Sequence, residues 1–263
     1  MSRLVGVELL KLRTIRTTYG LLVAAALLTA LLASSEASKA GDNVASSSTL
    51  SAVVTSTGWT MLFATVMGVI IASGEFRHST ATLTYLAEPR RSRVLAAKAI
   101  AAAVTGAIFG RIGTAIATGI GLASTAGAGQ PITLSAATFL RDDLGTILGA
   151  ALLAPLGVAI GSLIRSQVGG ITAVLIWAIV IEPVIGGLFT AAQPYLPYSA
   201  ATTLAGAQLG SGAGGVHVNV QRGGPVTATA TPLPFGAIVA LLGALAIVIS
   251  ILAARSRLRA DVT

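Results

Sequence analysis

Two ionisable residues stand where charge is expensive. Arg111 and Glu182 each interrupt a long apolar stretch, and ionisable groups in such places are rare and usually paired or functional. Arg111 lies 15 residues beyond Ala96, near the start of its stretch, or ~22 Å along a helix rising 1.5 Å per residue. Glu182 lies 14 residues beyond Val168, or ~21 Å by the same rise. The shared depth predicts an ion pair, or a shared polar site, between the third and fifth apolar stretches. The other arrangement is that both side chains snorkel separately to the external interface. Pro183 removes a backbone donor beside Glu182, which predicts a kink or break at that level.

The remaining residues offer little catalytic chemistry. There is no Gly-x-x-x-x-Gly-Lys-Ser/Thr loop to cradle a nucleotide. The two histidines, His78 and His217, fall in segments on opposite sides of the apolar stretches, so no zinc site or Ser–His pair assembles from them locally. Cysteine is absent, which removes disulfides and thiolate ligands. Asp142 and Asp143 are adjacent at the mouth of the fourth stretch, where capping a helix N-terminus is their simplest role. No catalytic residue and no metal site are expected.

The elements that must position these charges are membrane spans. The chain is 54% hydrophobic and 10% charged, against about 25% charged in soluble domains. A helix of roughly 20 residues crosses ~30 Å of hydrocarbon. Six such spans are expected near 18–35, 57–74, 96–123, 144–164, 168–190 and 235–254. The fold class is therefore an all-α membrane protein, a single domain over 1–263. Of the 17 Lys and Arg residues, 13 fall in one alternate set of connecting segments. By the positive-inside rule that set is cytoplasmic, and six spans put both termini there. The net charge of +8 is explained by orientation and anionic headgroups, so no nucleic-acid partner is expected. The basic start, the apolar run Leu21–Ala33 and the small residues near Ala40 look like a signal sequence, and we expect this segment to be retained as the first span. Gly106, Gly110, Gly113, Gly145, Gly149 and Gly157 are read as close helix contacts rather than a pore lining.

Three segments outside the spans carry pattern. In Arg3–Thr18, Leu4, Val7, Leu10 and Leu12 are set among Glu8, Lys11, Arg13 and Arg16, which suits a helix lying in the membrane surface or a plain extension of the first span. The stretch 75–95 contains Leu83, Tyr85 and Leu86, the inner face of a short helix ending before Pro89, or else a solvated charge run. In 191–234, Pro194 to Leu204 suit short helices at the membrane surface. Residues 216–231 alternate about Gly223-Gly224-Pro225 and suggest a small external β-hairpin, with a disordered loop as the alternative.

Together these features resemble the membrane subunit of an ATP-binding-cassette (ABC) transporter of the type-2 permease family. The run Glu8-Leu9-Leu10-Lys11-Leu12-Arg13 is similar to that family's amphipathic elbow helix. Glu75-x-Arg77-x-Ser79-Thr80, followed by Leu83, Pro89, Arg93 and Lys98, resembles its coupling segment. Pro194 to Leu204 resemble its re-entrant external helices. The resemblance implies a dimer of permease chains above two copies of a separate ATPase, with ATP and Mg on that partner and no cofactor or enzymatic activity in this chain. It implies ATPase contacts at Glu75, Phe76, Arg77, Ser79, Thr80, Leu83, Leu86 and Arg90, an elbow marked by Glu8, Lys11 and Arg13, and outward movement of a drug, lipid or peptide. The Ala- and Arg-rich, Lys-poor composition points to a bacterial plasma membrane. The alternative is a secondary transporter that couples ions through Arg111 and Glu182.

Overall fold

The computed structural model describes residues 1–39, 53, 56–77, 90–129, 136–164, 166–206 and 233–260. The described residues are helical, with no strand among them. Six of the helices are long and apolar enough to cross a membrane, which makes this a multi-pass membrane protein. The segment that carries Ser79, Thr80, Leu83 and Leu86, and the hairpin expected over 216–231, lie outside the described residues.

Helix α1 (Ser2–Thr14) is followed at once by the first span, α2 (Arg16–Lys39). The corner between them is sharp because Ile15 is extended, at φ −82° and ψ 118°. It is pinned by the Tyr19 hydroxyl, which donates to the Arg13 carbonyl at 2.8 Å. The other spans are α3 (Gly58–Arg77), α4 (Arg91–Gly127), α5 (Ala136–Ile164), α6 (Gln167–Leu188) and α8 (Phe235–Ala260). All six predicted spans are present, and two are much longer than predicted. At 37 residues, α4 measures ~55 Å, well beyond the hydrocarbon thickness. It ends at Gly127, two residues before Gly129, whose φ of +64° suits glycine. The start of α5 precedes the predicted boundary by eight residues, because Ala136, Ala137 and Leu140 are good helix formers. This corrects the role expected of Asp142 and Asp143, which sit inside the helix and not at its cap.

Span α6 is regular to Ile176, widens into a π turn over Trp177–Ile181 and resumes over Glu182–Leu188. The Glu182 amide donates to the Trp177 carbonyl, five residues back. Pro183 cannot continue an α-helical hydrogen-bond ladder, so the expected irregularity takes the form of a π turn rather than a break. A short 3₁₀ helix (Thr190–Tyr195) and α7 (Pro197–Leu204) follow.

The centre of the bundle is α3. Within its apolar window 78% of residues are buried, against 11% for α8 and 22% for both α2 and α6. Its chief neighbour is α5, which also packs on α4, α8 and α7. Glycines set these distances. A Cβ at Gly68 would fall on the Ala154 carbonyl, and one at Gly157 on the Thr65 carbonyl, so α3 and α5 approach backbone to backbone. Gly106 does the same against Ala150 across α4 and α5. All six glycines read from the sequence as packing positions lie at close helix contacts, Gly113 against the Thr60 side chain and Gly149 against that of Met61.

Candidate functional site

At the basic end of the bundle, four charged side chains close into a ring. Glu8 and Lys11 lie one turn apart on α1, Glu75 lies near the end of α3, and Lys98 lies two turns into α4. Lys11 Nζ reaches Glu8 Oε1 at 2.9 Å and Glu75 Oε1 at 3.0 Å. Lys98 Nζ reaches Glu75 Oε1 at 2.7 Å and Glu8 Oε2 at 3.3 Å. Each carboxylate therefore meets both ammonium groups, and the ring is neutral.

Three of its members are buried. The side chains of Lys98, Glu8 and Glu75 are 6%, 8% and 10% exposed, while that of Lys11 is 41% exposed. Burying charges costs several kcal/mol per ion unless partners and hydrogen bonds compensate. The alternation of sign supplies that compensation. At Lys11, burial pulls the pKa down, but hydrogen bonds and attraction from Glu8 and Glu75 outweigh it and hold the ammonium above the ordinary value of 10.5.

The ring brings together three residues singled out from sequence, Glu8, Lys11 and Glu75. It adds Lys98, which the sequence had placed at the end of the segment resembling the coupling region, without a partner. The carboxylate of Glu75 is engaged within the chain. Arg13 points outward from α1, and Arg90 is exposed just before α4. Phe76 and Arg77 form the last backbone turn of α3.

The expected Arg111–Glu182 pair is not formed. Arg111 Nη1 donates to both oxygens of Asp143, each at 2.9 Å, and so joins α4 to α5. The Arg111 side chain is 61% exposed and that of Asp143 is 10% exposed. Glu182 is fully buried and serves a different partner. Its carboxylate accepts the backbone amide of Ser199 and, at 3.1 Å, the indole Nε1–H of Trp177. Helix α7 begins at Pro197, which has no N–H, and its N-cap residue Leu196 provides no side-chain cap. Ser199 sits at the third helical position, where a capping oxygen normally binds. Glu182 thus caps α7 from another helix, with its carboxyl oxygen at the positive end of the α7 dipole. The sequence signal for this was present: Pro197 starts a helix behind a leucine that cannot cap it.

Among the described residues, no cluster of His, Asp and Glu could hold a metal ion. The chain matches no protein-family model and none of the curated proteins with which it was compared.

Proposed function

We propose that the chain is the membrane-spanning permease subunit of an ATP-driven ABC exporter. In this reading two permease chains form the pathway, and two copies of a separate ATPase, which bind ATP and Mg, dock beneath them. The chain lies in a bacterial plasma membrane with both termini in the cytoplasm, and the cargo is apolar or amphipathic. The observation that carries the reading is the charged ring. It joins α1, the elbow helix of this proposal, to the end of α3 and the start of α4, the two helices that flank residues 78–89. A displacement applied to that segment would move all three helix ends together, as transmission of ATPase closure requires. The contacts with the ATPase would then fall on Arg77, Ser79, Thr80, Leu83, Leu86 and Arg90, with Glu75 acting from behind them. The ion-coupled alternative relied on an Arg111–Glu182 pair, and each of those residues has another partner.

The test is purification of the tagged chain from its native membrane in mild detergent, with an assay for vanadate-sensitive ATP hydrolysis. The expected result is a co-purifying ATPase in the usual single-domain range, ~25–35 kDa, whose association weakens in an Arg77→Ala, Arg90→Ala variant. A chain that purifies alone and without ATP hydrolysis overturns the proposal.

A further inference from the structure

Helix α7 has a carboxylate at each end, and only one of them is served by donors. At its start, Glu182 accepts the Ser199 amide and the Trp177 indole N–H. At its finish lies Asp142 of α5, at the end of the bundle opposite the charged ring. Gly206 closes α7 in the left-handed region, and the Asp142 carboxylate rests against that glycine, 2.5–2.7 Å from where a Cβ would stand. The Leu204 carbonyl packs on Gly145, three residues further along α5.

Asp142 is 5% exposed. Among the described residues its carboxylate makes no hydrogen bond and no ion pair. Its neighbour Asp143 is engaged by Arg111. Arg141 is exposed and attracts Asp142 only at a distance. The nearest helix dipole opposes its charge, because the last carbonyls of α7 form that helix's negative end. A buried carboxylate with no donor, set beside carbonyl oxygens, is costly unless a cation joins it.

We propose that this place binds one small monovalent cation. Its donors are the Asp142 carboxylate and the carbonyl groups that end α7, and oxygen donors suit hard cations. One carboxylate balances one positive charge. Calcium or zinc calls for more side-chain ligands, and among the described residues no further acid or histidine forms a metal cluster with Asp142. The nearby Arg141 charge also works against a divalent ion. The bound cation ties α5 to the end of α7, as Glu182 ties α6 to its start.

The test is thermal melting of the full chain in mild detergent, in sodium chloride, potassium chloride or N-methylglucamine chloride at one ionic strength. The midpoint is expected to rise with sodium or potassium by about 3–5 °C for each tenfold increase past half-saturation. N-methylglucamine, too large for the site, should give no rise. Asp142→Asn keeps the side-chain shape without the charge and should abolish the response. Glu36→Gln, at an exposed carboxylate, should leave it intact. Binding of radioactive sodium to the unaltered chain, counted by scintillation proximity, reads the same site without a variant and should saturate. Equal midpoints in all three salts overturn the proposal, as does a response that survives Asp142→Asn. So does a chain that binds no sodium or potassium and is stabilised only by acid, which would place a proton on Asp142 instead. None of these readings depends on whether the chain is an exporter.

Discussion

Glu182 caps a helix that begins 15 residues further along the chain, through the amide of Ser199. One buried carboxylate thereby satisfies a π-turn tryptophan and the N-terminus of α7. The C-terminal end of α7 is fixed as well, because Gly206, at φ +81°, leaves no room for a side chain against the Asp142 carboxylate. Without Glu182, α7 would lose its capping partner where both Glu182 and Ser199 are buried.

Glu182→Ala is therefore expected to lower thermal stability in detergent, since it orphans the buried Ser199 amide at roughly 1–3 kcal/mol and also releases the part-exposed Trp177 indole. Glu182→Gln keeps one acceptor and should lose about half as much. Melting followed by Trp fluorescence distinguishes them, and equal losses would argue against a capping role.

Within the charged ring, Lys98→Met leaves Glu8 and Glu75 short of a partner where both are buried, a loss of about 3–5 kcal/mol. Glu8→Gln with Lys98→Met should cost clearly less than the two single changes added together. Lys11→Gln, at the exposed corner, should cost about 1 kcal/mol or less. Denaturation of the four variants in one detergent is the measurement, and additivity would show that the ring does not act as a unit.

The pKa of Lys11 is raised, so its pairing contributes stability that is complete below the unfolded value of 10.5 and is lost only as pH climbs past the higher folded value. Its contribution should be flat across the neutral range and decline only in strong alkali. A nitroxide on α1, at Val7→Cys, should keep its mobility through neutral pH and gain mobility only above about pH 10.5. A change near pH 7 would contradict this.

Arg111→Asp should destabilise the protein by setting like charges against Asp143. The reciprocal swap, Arg111→Asp with Asp143→Arg, should recover part of the loss, whereas Arg111→Asp with Glu182→Arg should recover none. Yield of folded, monodisperse protein by size-exclusion chromatography reads out all three.

Gly157→Ala is expected to cost about 1–3 kcal/mol or more, because its Cβ meets the Thr65 backbone. Gly119→Ala, with nothing within 4 Å of the added Cβ, should be neutral or gain up to about 1 kcal/mol. Thermal melts of the two variants test whether the glycines at α3–α5 are there for contact.

Much of the architecture was legible in the residues. The six spans follow from length and apolarity, and the glycine contacts follow from the need of lipid-immersed helices to pack without a hydrophobic drive between them. Helix ends were harder to read. Arg91–Arg93 is polar, and Ala136–Leu140 is cut off from the apolar run by the charged Arg141, Asp142 and Asp143, so a hydropathy boundary stops short of the real helix end. Glu8 and Lys11 stood out in the elbow segment and Glu75 in the coupling segment, but that they meet one another and Lys98 depends on three helix ends converging.

Arg111 and Glu182 show where the division falls. The sequence by itself determined that each interrupts an apolar span, because length and apolarity are read from residue order alone. Only the tertiary structure decided their partners, because a partner depends on which helices are neighbours and how each is rotated about its axis. Helix α4 packs chiefly on α5, which turns Arg111 to Asp143, while the π turn and α7 enclose Glu182.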